Sequence, residues 1–216
     1  MQHEAADRPR LRRVPQQSRS RDRVEKILDT AAALVVEQGV EAVGTRSIAE
    51  AAAVPVASLY QYFADRDDIL LALVERDIEA MDARVQADVG GLATFSIRSI
   101  VEATVAAFVA VYRERPAFVT IYLRGRTNAA IDEFCRAHNR EVAASLFALA
   151  SDLGLLVEDA EQRHAEIAVE MGDRLFQLAF ATDIEGDPLV IGEAVKVLAA
   201  YLELYASPAG VKGVDA

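Results

Sequence analysis

Apolar residues along the chain recur at three- and four-residue spacing in block after block. Ile27, Leu28, Ala31 and Val35 form the first such stripe, and Gly39 follows it as a left-handed terminator. Thr45 opens a short second helix to about Ala52, carrying Ile48 and Ala49, with its hydroxyl available to cap the exposed N–H groups. Ala53, Val54 and Pro55 punctuate next: proline disfavours helix at Val54, while its fixed φ suits the first turn of a new helix. A third helix of about two turns is expected near Val56 to Phe63. Asp65 then caps a fourth, striped by Ile69, Leu70, Leu73, Val74, Ile78, Met81 and Val85 and ended by Gly90 and Gly91. Five further helices are expected: about Thr94 to Arg113, Pro116 to Arg124, Thr127 to Leu153, Asp159 to Asp183, and Asp187 to Ala206. The last is opened by Asp187 as cap and Pro188 at the first helical position. No segment alternates as a strand does. The fold class expected is all-α with about nine helices: an arm over residues 1–18, a helix-turn-helix domain over 19–66, a helical domain over 67–206 and a tail over 207–216.

Composition agrees with this pattern. The 216 residues are 52% hydrophobic and contain only 11 Gly and 6 Pro, which excludes disordered and collagenous chains. Cys135 is the single cysteine, so neither an intramolecular disulfide nor a cysteine metal cage can be built. With no apolar run long enough to span a bilayer, a cytoplasmic location and no membrane partner are expected. The net charge of −11 argues at first against a nucleic-acid partner. However, residues 1–26 hold eight basic side chains, Arg19, Arg21 and Arg23 among them, against four acidic ones. A basic end on an acidic body orients an encounter with a polyanion, although a solvated tail has the same composition.

Two short helices joined by a tight turn behind basic residues form a helix-turn-helix, whose second helix fits the major groove. The stretch Gly39-Val40, Thr45-Arg46, Ile48-Ala49, Val54, Ser58-Leu59-Tyr60-Gln61-Tyr62-Phe63 and Ile69-Leu70 closely resembles the DNA-binding domain of tetracycline-repressor-type (TetR family) transcriptional regulators, over roughly residues 20–72. The sequence departs from the usual family pattern at Ala53, Pro55, Ala57 and Arg66, where Gly, Ser, Gly and Lys are common. An alanine in the turn carries strain if its φ is positive. The resemblance implies phosphate contacts from Thr45, Tyr60 and Arg66, base-facing positions at Arg46, Val56, Ala57 and Gln61, and a helical ligand-binding and dimerisation domain behind them. Ser58 adds a hydroxyl on the same helix. Arg46 suits guanine, whereas Val56 and Ala57 offer only apolar contact to a thymine methyl. Tyr62 is assigned to core packing.

Beyond Ala72 the resemblance fades, and the residues speak for themselves. Thr104, Phe108, Tyr112, Phe118, Tyr122 and Phe134 are the candidate lining of an apolar effector cavity; the same stripes also serve as plain core. The last helix is apolar over more of its circumference than one core face needs, which implies a second apolar partner. Ile167, Met171 and Leu175 with Ala194, Leu198, Tyr201 and Leu202 are therefore expected in an intermolecular four-helix bundle of a homodimer, small Ala168 and Gly172 allowing close approach. Complete burial within one protomer is the competing explanation.

The best enzyme candidate is Glu161 with His164, half of a di-iron carboxylate pattern. It fails on ligand count, because neither His3 nor His138 has a Glu three positions before it. No catalytic residue, metal or cofactor is expected. The expected function is a repressor released from a palindromic double-stranded operator by a small apolar or amphipathic effector. The alternatives are a DNA-binding regulator without a ligand and, more remotely, a helical-bundle enzyme.

Overall fold

The computed structural model describes residues 18–124 and 128–215. Expectations for the arm, for the Arg19 side chain and for Thr127 lie outside the described residues. Two compact units divide between Arg76 and Asp77, inside a long helix and not at the expected 66/67 boundary.

The first unit contains α1 (Ser18–Gln38), a 3-10 turn (Val40–Ala42), α2 (Thr45–Ala51), α3 (Val56–Leu59) and the start of α4 (Arg66–Gly90). Its core is drawn from all four helices: Ile27, Ala31, Ile48, Leu59, Phe63, Ile69 and Leu73 are solvent-free. α1 stops where Gly39 takes φ 81°. The helix start at α2 corrects one expectation. Thr45 is the first helical residue and not the cap; Gly44 precedes the helix, and Ser47 Oγ accepts from its N–H at 3.0 Å. The Thr45 hydroxyl is instead engaged with Tyr60, as described below. α3 is shorter than expected, with residues 60–62 in turns, because the N–H groups of Gln61 and Tyr62 donate three residues back, to Ser58 O and Leu59 O, in place of a longer helical ladder. At α4 the Asp68 N–H donates to Asp65 Oδ1 at 3.0 Å, while the Ala64 N–H donates to Asp68 Oδ2 at 2.8 Å. This reciprocal cap fixes where the helix begins. Along it, Arg76 reaches back to Glu25 at 3.1 Å and Asp29 at 2.8 Å on α1.

The second unit comprises the rest of α4, then α5 (Ile97–Glu114), α6 (Pro116–Phe118) running into a π-helical turn (Val119–Arg124), α7 (Ala129–Asp152), α8 (Gln162–Ala179) and α9 (Pro188–Glu203). Ser96, Asn128 and Asp187 cap α5, α7 and α9 with their side chains. α8 packs on both α7 and α9, and α5 on α9. Two expectations are corrected at the chain end. The tail contains α10 (Pro208–Lys212), and β1 (Thr94–Phe95) pairs antiparallel with β2 (Val214–Asp215). Ser207 anchors this segment: its N–H donates to Leu155 O at 2.8 Å, its hydroxyl to Gly154 O at 2.8 Å, and the same oxygen accepts from the Gly210 N–H at 3.1 Å. Gly210 is obligatory, since a Cβ there would lie 2.0 Å from Leu155 O.

Candidate nucleic-acid interface and internal cavity

The turn between α2 and α3 is closed by Ala53, the one non-glycine residue with positive φ among those described, at 51°. An L-residue there costs about 1–2 kcal/mol. Pro55 follows with φ −59°, ready for the first turn of α3. The backbone bonds Ala52 N→Ile48 O, Ala53 N→Glu50 O and Val54 N→Ala49 O lock the turn. Because Ala52, Leu59, Tyr62 and Phe63 are buried, the opposite face of α3 points outward. On that face Pro55, Val56, Ala57, Tyr60 and Gln61 are exposed, together with Arg46 from α2. Ser58 is half-buried.

The two tyrosines separate cleanly. Tyr62 is 4% exposed and shares a hydrogen bond with Ser20 Oγ at 2.7 Å. Tyr60 is 42% exposed, and its hydroxyl shares a 3.1 Å hydrogen bond with Thr45 Oγ1. Thr45 and Tyr60 thus present paired hydroxyls between the two helices, the type of neutral donor that meets a phosphate oxygen. Arg66 is partly covered, with Nε donating to Asp67 Oδ1 at 3.1 Å and Glu41 4.0 Å away. Asp67 takes one of the guanidinium's five N–H donors. Arg21 and Arg23 are exposed on α1.

In the second unit a cavity of about 120 Å³ lies among α5, the π-helical turn, α7, α8 and α9. Four of the six expected residues line it: Thr104, Phe108, Tyr112 and Tyr122. Phe118 and Phe134 do not, which corrects their assignment. Phe118 stands behind the wall, stacked on Tyr122 at 5.1 Å and tilted against Tyr112 at 5.8 Å. Phe134 precedes the lining residue Asn139 by five positions, which turns it about 140° around α7. The π-helical turn is what brings Tyr122 inward, where its hydroxyl donates to Asp173 Oδ1 at 3.0 Å.

Reasoning from sequence missed the contribution of α8 and α9. Phe176 stacks on Phe108 at 5.6 Å and meets Tyr112 edge-on at 5.5 Å. His164, stacked on Tyr205 at 3.7 Å, lines the opposite end. Leu198 and Leu202, expected in the dimer, also line the cavity. The available signal was the apolar width of α9, of which part serves the cavity.

The same observation revises the dimer set. Ala194 and Leu198 are 1% and 7% exposed within one protomer, so neither is surface for a partner. Leu198 Cδ1 lies 3.3 Å from where a Gly172 Cβ would stand; Gly172 and the buried Ala168 therefore serve α8–α9 packing inside the protomer. Tyr201 is half-buried and meets Tyr205 edge-on at 5.7 Å. Met171 and Leu175 are half-buried, and Ile167 is 41% exposed. The outward stripe of α9 is instead Leu189, Glu193, Val197, Ala200 and Leu204, with Leu189, Val197 and Leu204 at 72%, 42% and 73% exposure. Leu178 of α8 is 57% exposed.

A short helix pair with an outward, polar and apolar face, in a chain whose described residues are mainly helical and enclose a cavity in the second unit, defines the helix-turn-helix class of regulator. Comparison with known proteins makes this specific. Residues 27–73 match the family model described as bacterial regulatory proteins, tetR family, and residues 96–202 match the tetracyclin repressor-like C-terminal domain. A crystal structure of a TetR-family transcriptional regulator from Streptomyces coelicolor is similar at 32% identity and TM-score 0.66, covering 85% of this chain and 97% of that one. The transcriptional repressor KstR of Mycolicibacterium smegmatis is 39% identical over 64 residues, which span 30% of this chain and 31% of that protein. SmeT, the repressor of the Stenotrophomonas maltophilia multidrug efflux pump SmeDEF, shares the fold at 20% identity and TM-score 0.65, covering 86% of this chain and 91% of that one. The chain belongs to the TetR family, and so to the DNA-binding transcriptional regulators and not to the enzymes. Among the described residues no helix is long and apolar enough to cross a membrane.

Proposed function

We propose that the protein is a repressor that binds a palindromic operator as a homodimer and is released by a small apolar or amphipathic effector. The observation that carries this reading is the coexistence of an exposed α3 face with an apolar, partly polar-lined cavity in the second unit. Arg46 and Gln61 supply hydrogen bonds to base edges, Val56 and Ala57 supply methyl contacts, and Thr45, Tyr60 and Arg66 hold phosphates. The outward apolar stripe of α9, with Ile167 and Leu178 of α8, supports a two-fold bundle. Two recognition helices related by that axis engage successive major grooves about 34–36 Å apart.

Release requires that the effector prefer the DNA-incompetent arrangement, and a coupling of about 1–3 kcal/mol weakens operator binding about 5–150-fold. By linkage the operator weakens effector binding by the same factor. Fluorescence-anisotropy titrations of operator, with and without a cavity ligand found by thermal shift, test this. Equal operator affinity in both titrations for every cavity ligand refutes the effector-release reading.

A further inference from the structure

The chemistry of the cavity narrows the effector class, an inference that rests on the cavity being the effector site. Its lining repeats along α5 at Ile97, Ile100, Val101, Thr104, Phe108 and Tyr112. Fifteen residues of helix rise separate the ends of this stripe, about 22 Å. Lining that follows one helix over that length fits an elongated slot better than a round void.

Two neutral polar groups in the slot lack good partners. Thr104 Oγ1 is buried and finds no hydrogen-bonding protein group. Asn139 is 7% exposed, and its amide reaches only Glu170 at 3.4 Å and the Tyr122 hydroxyl at 3.5 Å. Both separations exceed the usual range of about 2.7–3.2 Å. Buried polar atoms are normally satisfied, and a ligand that supplies the missing partner relieves their desolvation. No Lys or Arg is among the described lining residues; His164, stacked on Tyr205, and the exposed Glu161 lie at the start of α8, and the buried carboxylate, Asp173, already accepts from Tyr122 and Gln177. Beside Thr104 and Asn139 a ligand carboxylate would be dehydrated near Asp173, and a ligand cation would be dehydrated against a carboxylate whose oxygens are already engaged by Tyr122 and Gln177.

We propose that the effector is an elongated, uncharged, mainly hydrocarbon molecule bearing a hydroxyl or carbonyl group that Thr104 and Asn139 hydrogen-bond. The test is isothermal titration of the full-length protein with 1-octanol, 1-nonanol, 1-decanol, decanoate and decyltrimethylammonium. Alcohol affinity is expected to rise roughly fourfold per methylene, and decanol to bind at least about tenfold more tightly than either ion. Thr104→Val, an isosteric change, and Asn139→Leu are each expected to weaken decanol about threefold to tenfold, with cooperative thermal unfolding retained as the folding control. Decanoate or the quaternary ammonium binding as tightly as decanol overturns the uncharged class while leaving a ligand-binding cavity. Unchanged decanol affinity in both folded variants overturns the assigned contacts. If no probe binds, the effector-site reading falls as well.

Discussion

Val197→Glu and Leu198→Glu, at neighbouring positions of α9, are expected to have opposite consequences. Val197 is 42% exposed in the protomer and lies midway along the outward stripe, whereas Leu198 is 7% exposed and packs over Gly172. A glutamate at 197 stays hydrated in the monomer, so folding changes little. In a two-fold dimer the change occurs twice. Each copy loses part of a valine's burial, about 0.5–1 kcal/mol, and dehydrates a polar group without a partner, about 1–3 kcal/mol. The sum over both copies is about 3–8 kcal/mol, which raises the dimer Kd by at least about a hundredfold. Leu198→Glu instead places a carboxylate in the cavity wall and should abolish cooperative folding or lower stability by about 3 kcal/mol or more. Sedimentation velocity across nanomolar to micromolar concentrations, paired with thermal melts, reads both effects. A Val197→Glu protein that dimerises with wild-type affinity refutes the assignment of this stripe to the partner, and a wild-type protein that is monomeric at micromolar concentration refutes the dimer.

Other expectations concern the DNA-reading surface and the fold. Arg46→Ala should relax base preference at one operator position by about 1–3 kcal/mol, measured by binding to a panel of single-base variants. Tyr60→Phe and Arg66→Ala should weaken all duplexes alike, and Arg66→Ala should also reduce the slope of log affinity against log salt by about one. Ala53→Gly should stabilise the protein by about 0.5–1 kcal/mol in urea melts, since relief of the positive φ exceeds the added unfolded-state entropy; no gain means the turn is unstrained. The Asp82 carboxyl is pushed above the ordinary 3.8 by burial, against the pull of His138 3.4 Å away and with the help of Glu141 and Glu79. Its raised folded value means that wild-type stability falls as pH rises through that value. Asp82→Asn should therefore stabilise at pH 7, with the gain fading as pH drops toward 3.8.

Much of the recognition unit was legible because its signals are local. Gly39 terminates a helix, Pro55 starts one, Asp65 caps one, and Tyr62 and Tyr60 fall on opposite faces once the helix period is applied. The start of α2 was misread by one residue: Thr45 is helical and not the cap, and Ser47 Oγ accepts from the N–H of Gly44, the residue before the helix. In the second unit the stripe of α5 was readable, but a single stripe does not reveal which helix faces it. The inward turn of Tyr122 depends on a π-helical segment, and the contributions of Phe176, Leu198 and Tyr205 depend on tertiary packing. The broad apolar surface of α9 was read as a core face plus a partner face, but which residues fall on each was not legible: Leu198 and Leu202, expected at the partner, line the cavity, and Val197 and Leu204 point outward. The C-terminal segment carried its own signals, Ser207 followed by Pro208, which mark a helix start as clearly as Asp187 and Pro188 do.

Selection of duplexes from a random library by the full-length protein tests the central claim most directly. The account predicts enrichment of an inverted repeat whose half-sites lie about one helical turn apart, with the enriched positions altered by Arg46→Ala. Enrichment of no sequence, or of a site without two-fold symmetry, contradicts it.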